Sequence, residues 1–108
     1  MKYIKKIEKQ AKTEELERIG NYVITNPIHC NQSEKIFFNN TIGKIVGVSV
    51  DHVGNENSFK IEYNYEDIPM KVILNRDNTY YVKNYEIILE FKNKDELEVV
   101  IAAKKFNI

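Results

Sequence analysis

The sequence predicts an α+β protein in which about five short strands form a small antiparallel barrel or bent sheet, with a helix before the sheet and a helix after it. The spacing of the apolar residues changes from a helical period to a strand period after Gly20. Apolar and polar residues then alternate strictly over residues 59–65, and two glycines, Gly43 and Gly47, lie inside a strand-like stretch. At 108 residues the chain is expected to form one domain, over 1–108, whose core needs no disulfide.

The N-terminal segment is expected to be a helix over residues 2–19. Its apolar side chains recur at spacings of three to five, which is close to one face of a helix. These side chains are Ile4, Ile7, Ala11, Leu16 and Ile19. Gly20 would end the helix, because glycine readily adopts the left-handed conformation found at helix ends. An alternative has two helical pieces broken near Lys12, with Thr13 capping the second piece.

The chain is expected to be β-rich over residues 22–91. The first short run, Tyr22 to Ile24, is ended by Asn26 and Pro27, since proline cannot donate to a β ladder. Residues 25–35 are polar and rich in turn formers, and we expect a loop there. Further strands are predicted over residues 45–50, 59–65, 70–74, 79–82 and 85–91.

The stretch TIGKIVGVSV, residues 41–50, is expected to bend around the core. Val46, Val48 and Val50 are predicted to point to one side of the sheet. A sheet of five short strands closes only if some strands bend sharply, and glycine within a strand permits a bulge. Gly43 and Gly47 are therefore predicted to let this strand curl.

The C-terminal segment is expected to be a helix over residues 94–105. Asn93, followed three residues later by Glu96, resembles a capping box. One helical face would then hold Leu97, Val100, Ile101 and Lys104. The alternative is a strand paired back onto residues 87–91, because residues 99–101 are a β-branched run. The helix is the favoured prediction.

Four segments follow one another as in a small barrel: IGKIVGV, then SFKIEYN after a turn, then TYYV, and finally NYEIILEF. Over about residues 36–91 this pattern resembles the SH3-like small β-barrels of the Tudor and KOW type. A KOW-like barrel implies a role in contact with RNA or the ribosome. A Tudor-like barrel implies exposed aromatic rings gathered on one rim, where they form a cage for methylated side chains.

The composition indicates which kind of partner and which cellular compartment to expect. Sixteen basic and sixteen acidic side chains give a formal net charge of zero, whereas dedicated nucleic-acid binders carry an excess of Lys and Arg. The single cysteine, Cys30, excludes an internal disulfide framework and is typical of a reducing compartment. No apolar run is long enough to predict a membrane span and no secretory signal is recognised, so we expect a cytoplasmic protein with no membrane contact.

One constellation is a candidate for chemistry. His29 and Cys30 lie in one predicted loop, and Asp51 and His52 lie in another. Together they could supply a nucleophile with its base, as in a hydrolase, or ligands for zinc. No local signature accompanies them, and adjacent ligands such as His29 and Cys30 rarely both reach one ion. We therefore predict that the protein is not an enzyme, with no catalytic residue, no metal site and no cofactor.

The candidate binding residues are tyrosines that could stack on a partner and basic side chains near them in the sequence. They are Tyr63, Tyr65, Arg76, Tyr80, Tyr81, Lys60 and Lys83. The favoured function is a non-catalytic module that recognises a macromolecular partner, with a protein as the first choice. One alternative is an RNA-associated factor that uses the basic N-terminal segment with Lys60, Lys71 and Lys83. Another is an oligomeric sponge for a nucleotide-like ligand.

The abundance of Ile, Lys and Asn indicates an AT-rich genome. A small, single-domain protein from such a genome suits a phage or mobile-element accessory factor. We expect such a factor to block a component of a host defence system. This hypothesis rests on size and composition.

Overall fold

The structure, a computed structural model, describes residues 12–54 and 56–106 and confirms the predicted α+β class. Its elements are α1 (Thr13–Leu16), β1 (Tyr22–Thr25), α2 (Gln32–Asn40), β2 (Gly43–Ser49), β3 (Ser58–Glu62), β4 (Thr79–Lys83), β5 (Ile87–Phe91) and α3 (Lys94–Phe106). Single turns of 3-10 helix lie at Tyr65–Asp67 and Asn84–Glu86. Of the helix predicted over residues 2–19, residues 2–11 lie outside the described residues. In the described part only α1 is helical: the backbone of Lys12 is extended, and the helix ends at Leu16, short of the predicted end at residue 19.

All five strands form one antiparallel sheet in the order β4-β3-β2-β1-β5. The edge strands are therefore β4 and β5, although only Asn84–Glu86 separates them in the sequence. The edges of a flat five-stranded sheet would lie about 19 Å apart. The connection from Lys83 to Ile87 spans at most about 14 Å. The sheet must therefore curl until its two edges approach each other at this end.

The stretch predicted as a loop over residues 25–35 is partly helical, and this prediction is wrong from residue 32 onwards. Asn31 caps α2: its Oδ1 accepts from the N–H of Glu34, and the Glu34 carboxylate accepts from the N–H of Asn31, both at 2.9 Å. The helix then buries Phe37 and Phe38 against the concave side of the sheet. These two rings close the core that the curled strands surround.

The expected orientation of the side chains in β2 is wrong because the strand contains a bulge. Ile45 and Gly47 pair with consecutive residues of β3, so Val46 is an extra residue without a partner. Ile45 is fully buried, and the bulge turns Val48 to the same side of the sheet, where it packs against the core. Val50 lies beyond the end of the strand.

The two glycines of β2 have different roles. A Cβ atom at Gly43 would collide with Cγ2 of Ile61 and would lie 2.8 Å from Cε1 of Tyr63. At Gly47 a Cβ atom would lie 3.8 Å from the Cβ of Lys60, which is an ordinary contact. Gly43 is therefore required by close packing, whereas the bulge next to Gly47 does not need a glycine for space.

Residues 70–74 form an irregular loop and not the predicted strand. Val72 is buried and Leu74 packs against the core, while Met70 and Ile73 point to solvent. Val72 and Leu74 anchor the loop to the core, and no strand of the described residues pairs with it. The fifth strand of the sheet is β1.

The predicted C-terminal helix is present as α3. Asn93 Oδ1 accepts from the N–H of Asp95 at 2.8 Å, so the cap acts through Asp95 and not through Glu96. The helix packs against β5 and β1 and fully buries Leu97. On the same face, Val100 and Ile101 are half-buried, whereas Lys104 is exposed.

Candidate functional site

Three of the predicted binding residues share the outer face of the β3–β4 hairpin. Lys60 pairs directly with Tyr81 across the two strands, and Lys83 pairs with Ser58 near the end of the hairpin. Side chains alternate between the two faces of a sheet, and the intervening ones are buried in the core. Those buried residues are Phe59, Ile61 and Val82. We call the surface formed by Lys60, Tyr81 and Lys83 the hairpin face.

On the hairpin face, an acid neutralises Lys60. The Nζ of Lys60 lies 2.7 Å from Oδ2 of Asp77, whose Oδ1 accepts from the hydroxyl of Thr79. The hydrogen bond between them raises the pKa of Lys60 and is the main cause of the lowered pKa of Asp77. Because both side chains are partly exposed, the pair adds little to stability. It does reduce the positive charge available to an anionic ligand.

Lys83 is engaged in a similar way by the loop between β2 and β3. Its Nζ donates to the backbone carbonyl oxygen of Glu56 at 2.5 Å and lies 3.9 Å from Oδ2 of Asp51. Both lysines of the hairpin face therefore have acceptors within the protein. The face as a whole is less attractive to a phosphate backbone than the sequence suggests.

The predicted tyrosines do not form one stacking surface. Tyr63 is a core residue: its hydroxyl lies 3.1 Å from Oγ1 of Thr25, and burial raises its pKa. Tyr80 points inward and is half-buried, with its ring centroid 4.7 Å from that of Phe38. Tyr63 thus offers no surface to a ligand, which corrects its predicted role. The exposed members of the set are Tyr65 and Tyr81.

Tyr65 and Arg76 lie at opposite ends of the loop that connects β3 with β4. Both are exposed, Tyr65 on a 3-10 turn and Arg76 in the turn before β4. Between them, Met70 and Ile73 have exposed fractions of 101% and 81%. The loop therefore presents large apolar side chains to solvent, a composition found in surfaces that contact other proteins.

The hydrogen-bond pattern of β4 leaves the edge of the sheet open at Tyr81. The N–H of Tyr63 donates to the C=O of Asn78 at 2.9 Å, so these two residues are a hydrogen-bonded pair of the β3–β4 ladder. Because antiparallel pairs alternate between bonded and non-bonded, Tyr80 and Val82 bond to β3. Tyr81 directs its N–H and C=O to the other side, where no residue of 12–54 or 56–106 bonds to them.

Groups on either side of this position are already bonded. At one end of β4, the C=O of Thr79 accepts from the N–H of Asn75 at 3.0 Å. At the other end, the N–H of Lys83 donates to Oε1 of Glu86 at 2.7 Å. The second oxygen of that carboxylate accepts from the N–H of Ile28 at 2.8 Å. The open part of the strand is thus short and centred on one residue, and we call it the β4 edge.

A cleft of about 780 Å³ lies between α1 and the β2–β3 loop. In its wall, the guanidinium of Arg18 lies 4.3 Å from the ring centroid of Phe59. Arg18 also donates from Nη1 to Oδ1 of Asn84 at 2.7 Å and from Nε to both carboxylate oxygens of Glu90. Its charge is therefore used to hold the fold together. Sequence reasoning missed this network, because nothing local links residues so far apart in the sequence.

The constellation considered for catalysis is distributed over different parts of the molecule. Asp51 and His52 line the cleft beside α1, and Cys30 does not. The thiol of Cys30 donates to the C=O of Pro27 at 3.3 Å. Burial raises the pKa of this thiol, with a further increase from the nearby carboxylate of Glu34. A raised pKa disfavours the thiolate that nucleophilic catalysis needs.

No cluster of three or more His, Cys, Asp or Glu side chains suited to a metal ion occurs in the described residues. In the same part of the protein, no helix has the length and apolar character needed to cross a membrane. No protein-family model, no curated protein and no solved structure matches the sequence.

Proposed function

We propose that the protein is a non-catalytic binding module that recognises a protein partner by strand addition at the β4 edge. The observation that carries this proposal is that the N–H and C=O of Tyr81, in the middle of an edge strand, have no hydrogen-bond partner among the described residues. An extended segment of another protein, placed beside β4, would bond to both groups through its own backbone. Unpaired edges are templates for this kind of association.

The surroundings of the β4 edge support a protein as the partner. Tyr81 itself is 46% exposed. Asn75 ties the loop that carries Met70 and Ile73 to one end of β4, and Tyr85 is exposed just beyond the other end. A partner segment would find apolar side chains at both ends of the hydrogen-bonded site. Exposed apolar side chains around an open strand edge favour a protein as the partner.

An RNA partner has weaker support. Of the three lysines in that hypothesis, Lys60 is paired with Asp77 and Lys83 is bonded to the β2–β3 loop. Lys71 is exposed in the apolar loop. Affinity for RNA depends on lysines and arginines that displace counterions from phosphates, and few of those near the hairpin face are available for it.

The resemblance to SH3-like small barrels stays a proposal. It is supported by the curled antiparallel sheet, in which β1 and β5, the first and last strands in the sequence, pair with each other. A partner from a host defence system also stays a prediction, based on size and composition.

Site-specific photo-crosslinking tests the proposal. The photo-reactive analogue p-benzoylphenylalanine replaces Tyr81 in one variant and Val99 in a control, because Val99 is 68% exposed on α3, away from the β4 edge. Both variants are irradiated in a lysate of the source cells, with and without ribonuclease. We expect Tyr81 to give a discrete protein adduct that survives ribonuclease and that Val99 does not give.

The same experiment separates the competing functions. An adduct that disappears with ribonuclease, together with binding that falls steeply with salt, would establish the RNA-associated factor instead. If neither position forms a specific adduct and a nucleotide raises the melting temperature of the protein, the sponge hypothesis replaces the proposal.

A further inference from the structure

We infer that Glu86 is a specificity-determining residue of the β4 edge: its carboxylate occupies the N–H of Lys83 and so restricts an added strand to one bonded residue, Tyr81. The inference rests on the proposed function, because it concerns the same edge. It adds the shape of the partner, a protein segment that lies beside β4 for a single bonded residue and turns away on both sides. A long, flat strand is excluded.

The N–H of Lys83 points to the same side of β4 as the open groups of Tyr81. Bonded and non-bonded pairs alternate in an antiparallel ladder, so Ser58 and Lys83 are a non-bonded pair, as are Lys60 and Tyr81. An antiparallel strand long enough to pass both residues would therefore bond to both. In the protein, however, the N–H of Lys83 donates to Oε1 of Glu86 at 2.7 Å. A side-chain oxygen thus takes the place of a partner's carbonyl.

Glu86 also holds a loop beside this end of β4. Its Oε2 accepts from the N–H of Ile28 at 2.8 Å, and its backbone C=O accepts from the N–H of Asn26 at 2.7 Å. The carboxylate and the loop occupy the space next to Lys83 that a continuing strand would need. Covering part of an edge strand with a loop is one of the ways in which proteins prevent unwanted strand pairing.

The other end of β4 is closed by backbone groups. The C=O of Thr79 accepts from the N–H of Asn75 at 3.0 Å, and the C=O of Asn75 accepts from the N–H of Asn78 at 2.9 Å. This end is therefore fixed by the path of the chain through a turn. At the Lys83 end the closing group is a side chain, so replacing Glu86 should lengthen the open edge without changing the path of the chain.

Amide hydrogen exchange, followed by NMR on the full-length protein, tests the closing bond. In the wild type the amide of Lys83 should exchange about fivefold or more slowly than that of Tyr81. Glu86→Ala should remove this difference. The matched control is Glu66→Ala, which removes an exposed carboxylate from the other 3-10 turn and should leave the difference unchanged. Equal exchange of Lys83 and Tyr81 in the wild type would overturn the inference.

A second variant covers the case in which Glu86→Ala does not fold. Glu86→Gln keeps the size of the side chain but offers one acceptor oxygen in place of two, so its effect should be intermediate. Slow exchange of the amides of Tyr80 and Val82, which bond to β3, identifies the variants whose sheet is intact.

Photo-crosslinking from position 81 then measures specificity. With the photo-reactive analogue in place of Tyr81, we expect Glu86→Ala to capture proteins from the lysate that neither the parent protein nor Glu66→Ala captures. An identical set of adducts from all three overturns the inference and leaves strand addition standing. If none of them forms an adduct, both proposals are overturned. Adducts from Glu86→Ala alone would support the restriction by Glu86 and contradict strand addition in the natural protein.

Discussion

Arg18 donates from Nη2 to Oε1 of Glu90 at 2.5 Å, although 72 positions separate the two residues in the sequence. The Nε of Arg18 donates to the same carboxylate, and Asn21 donates to Oε2 at 2.7 Å. Arg18 follows α1 and Glu90 lies in β5. The pair therefore fixes the segment after α1 onto the edge of the sheet that lies opposite β4.

Replacing Arg18 should destabilise the fold more than replacing an ordinary surface cation. Both side chains of the pair are mostly buried, so Arg18→Ala leaves the carboxylate of Glu90 without its main donor. We expect the free energy of unfolding to fall by about 1–3 kcal/mol, measured by urea denaturation. The matched control is Lys94→Ala, whose exposed contact with Glu98 is 4.0 Å long and should be worth less than about 0.5 kcal/mol. Equal effects of the two substitutions would contradict the structural role of Arg18.

The same carboxylate should make stability depend on pH. Burial alone would raise the pKa of Glu90, but the hydrogen bonds from Arg18 and Asn21 outweigh it, and the net pKa is lowered. A group with a lowered folded-state pKa stabilises the protein above its unfolded pKa and loses that contribution as the pH falls through the folded pKa. Stability should therefore decline from about pH 5 downwards. Glu90→Gln should flatten this decline, as measured by thermal unfolding between pH 7 and pH 3. An unchanged slope would show that other acids cause it.

The two glycines of β2 offer a matched pair of substitutions. Gly43→Ala should cost about 1–3 kcal/mol, because the added Cβ atom would collide with Ile61 and Tyr63 in the core. Gly47→Ala should change stability by less than about 1 kcal/mol, since its Cβ would make only an ordinary contact with Lys60. Chemical denaturation of both variants gives the comparison. If both substitutions lowered the free energy of unfolding equally, glycine would be required for the bend of the strand and not for close packing.

The N-cap of α2 should contribute to the stability of the protein, because α2 carries two core residues, Phe37 and Phe38. Asn31→Ala removes the acceptor for the N–H of Glu34 and should cost about 1 kcal/mol. Asn40 serves as a control, because its side chain donates to the C=O of Ile36 at the exposed end of the same helix. We expect Asn40→Ala to have a smaller effect on the melting temperature. The reverse order would mean that the helix is held by its packing alone.

The elements that could be predicted from the sequence are those whose signal is local. The alternation around Phe59 and Ile61 identifies β3 without reference to the rest of the protein. The helix α2 also has a local signal, the pairing of Asn31 with Glu34 three residues later, but the aromatic pair Phe37 and Phe38 is equally typical of a strand. The bulge at Val46 depends on the register with β3, which no local pattern specifies.

Some features of the candidate site also follow from local patterns in the sequence, and others depend on the whole sheet. That Lys60, Tyr81 and Lys83 share one face follows from alternation along two predicted strands. The open position at Tyr81 depends on β4 being an edge strand, and the order of strands is a property of the whole sheet. The inward position of Tyr63 continues the alternation of Phe59 and Ile61. The inward position of Tyr80 depends on the pairing of β4 with β3, which the sequence alone does not specify.

Amide hydrogen exchange at Tyr81, followed by NMR, tests the β4 edge most directly. The amides of Tyr80 and Val82 bond to β3 and should be protected. If the edge is open, the Tyr81 amide exchanges much faster than these two neighbours. Protection of Tyr81 equal to that of Tyr80 and Val82 would show that the edge is closed within the monomer and would contradict strand addition at this position.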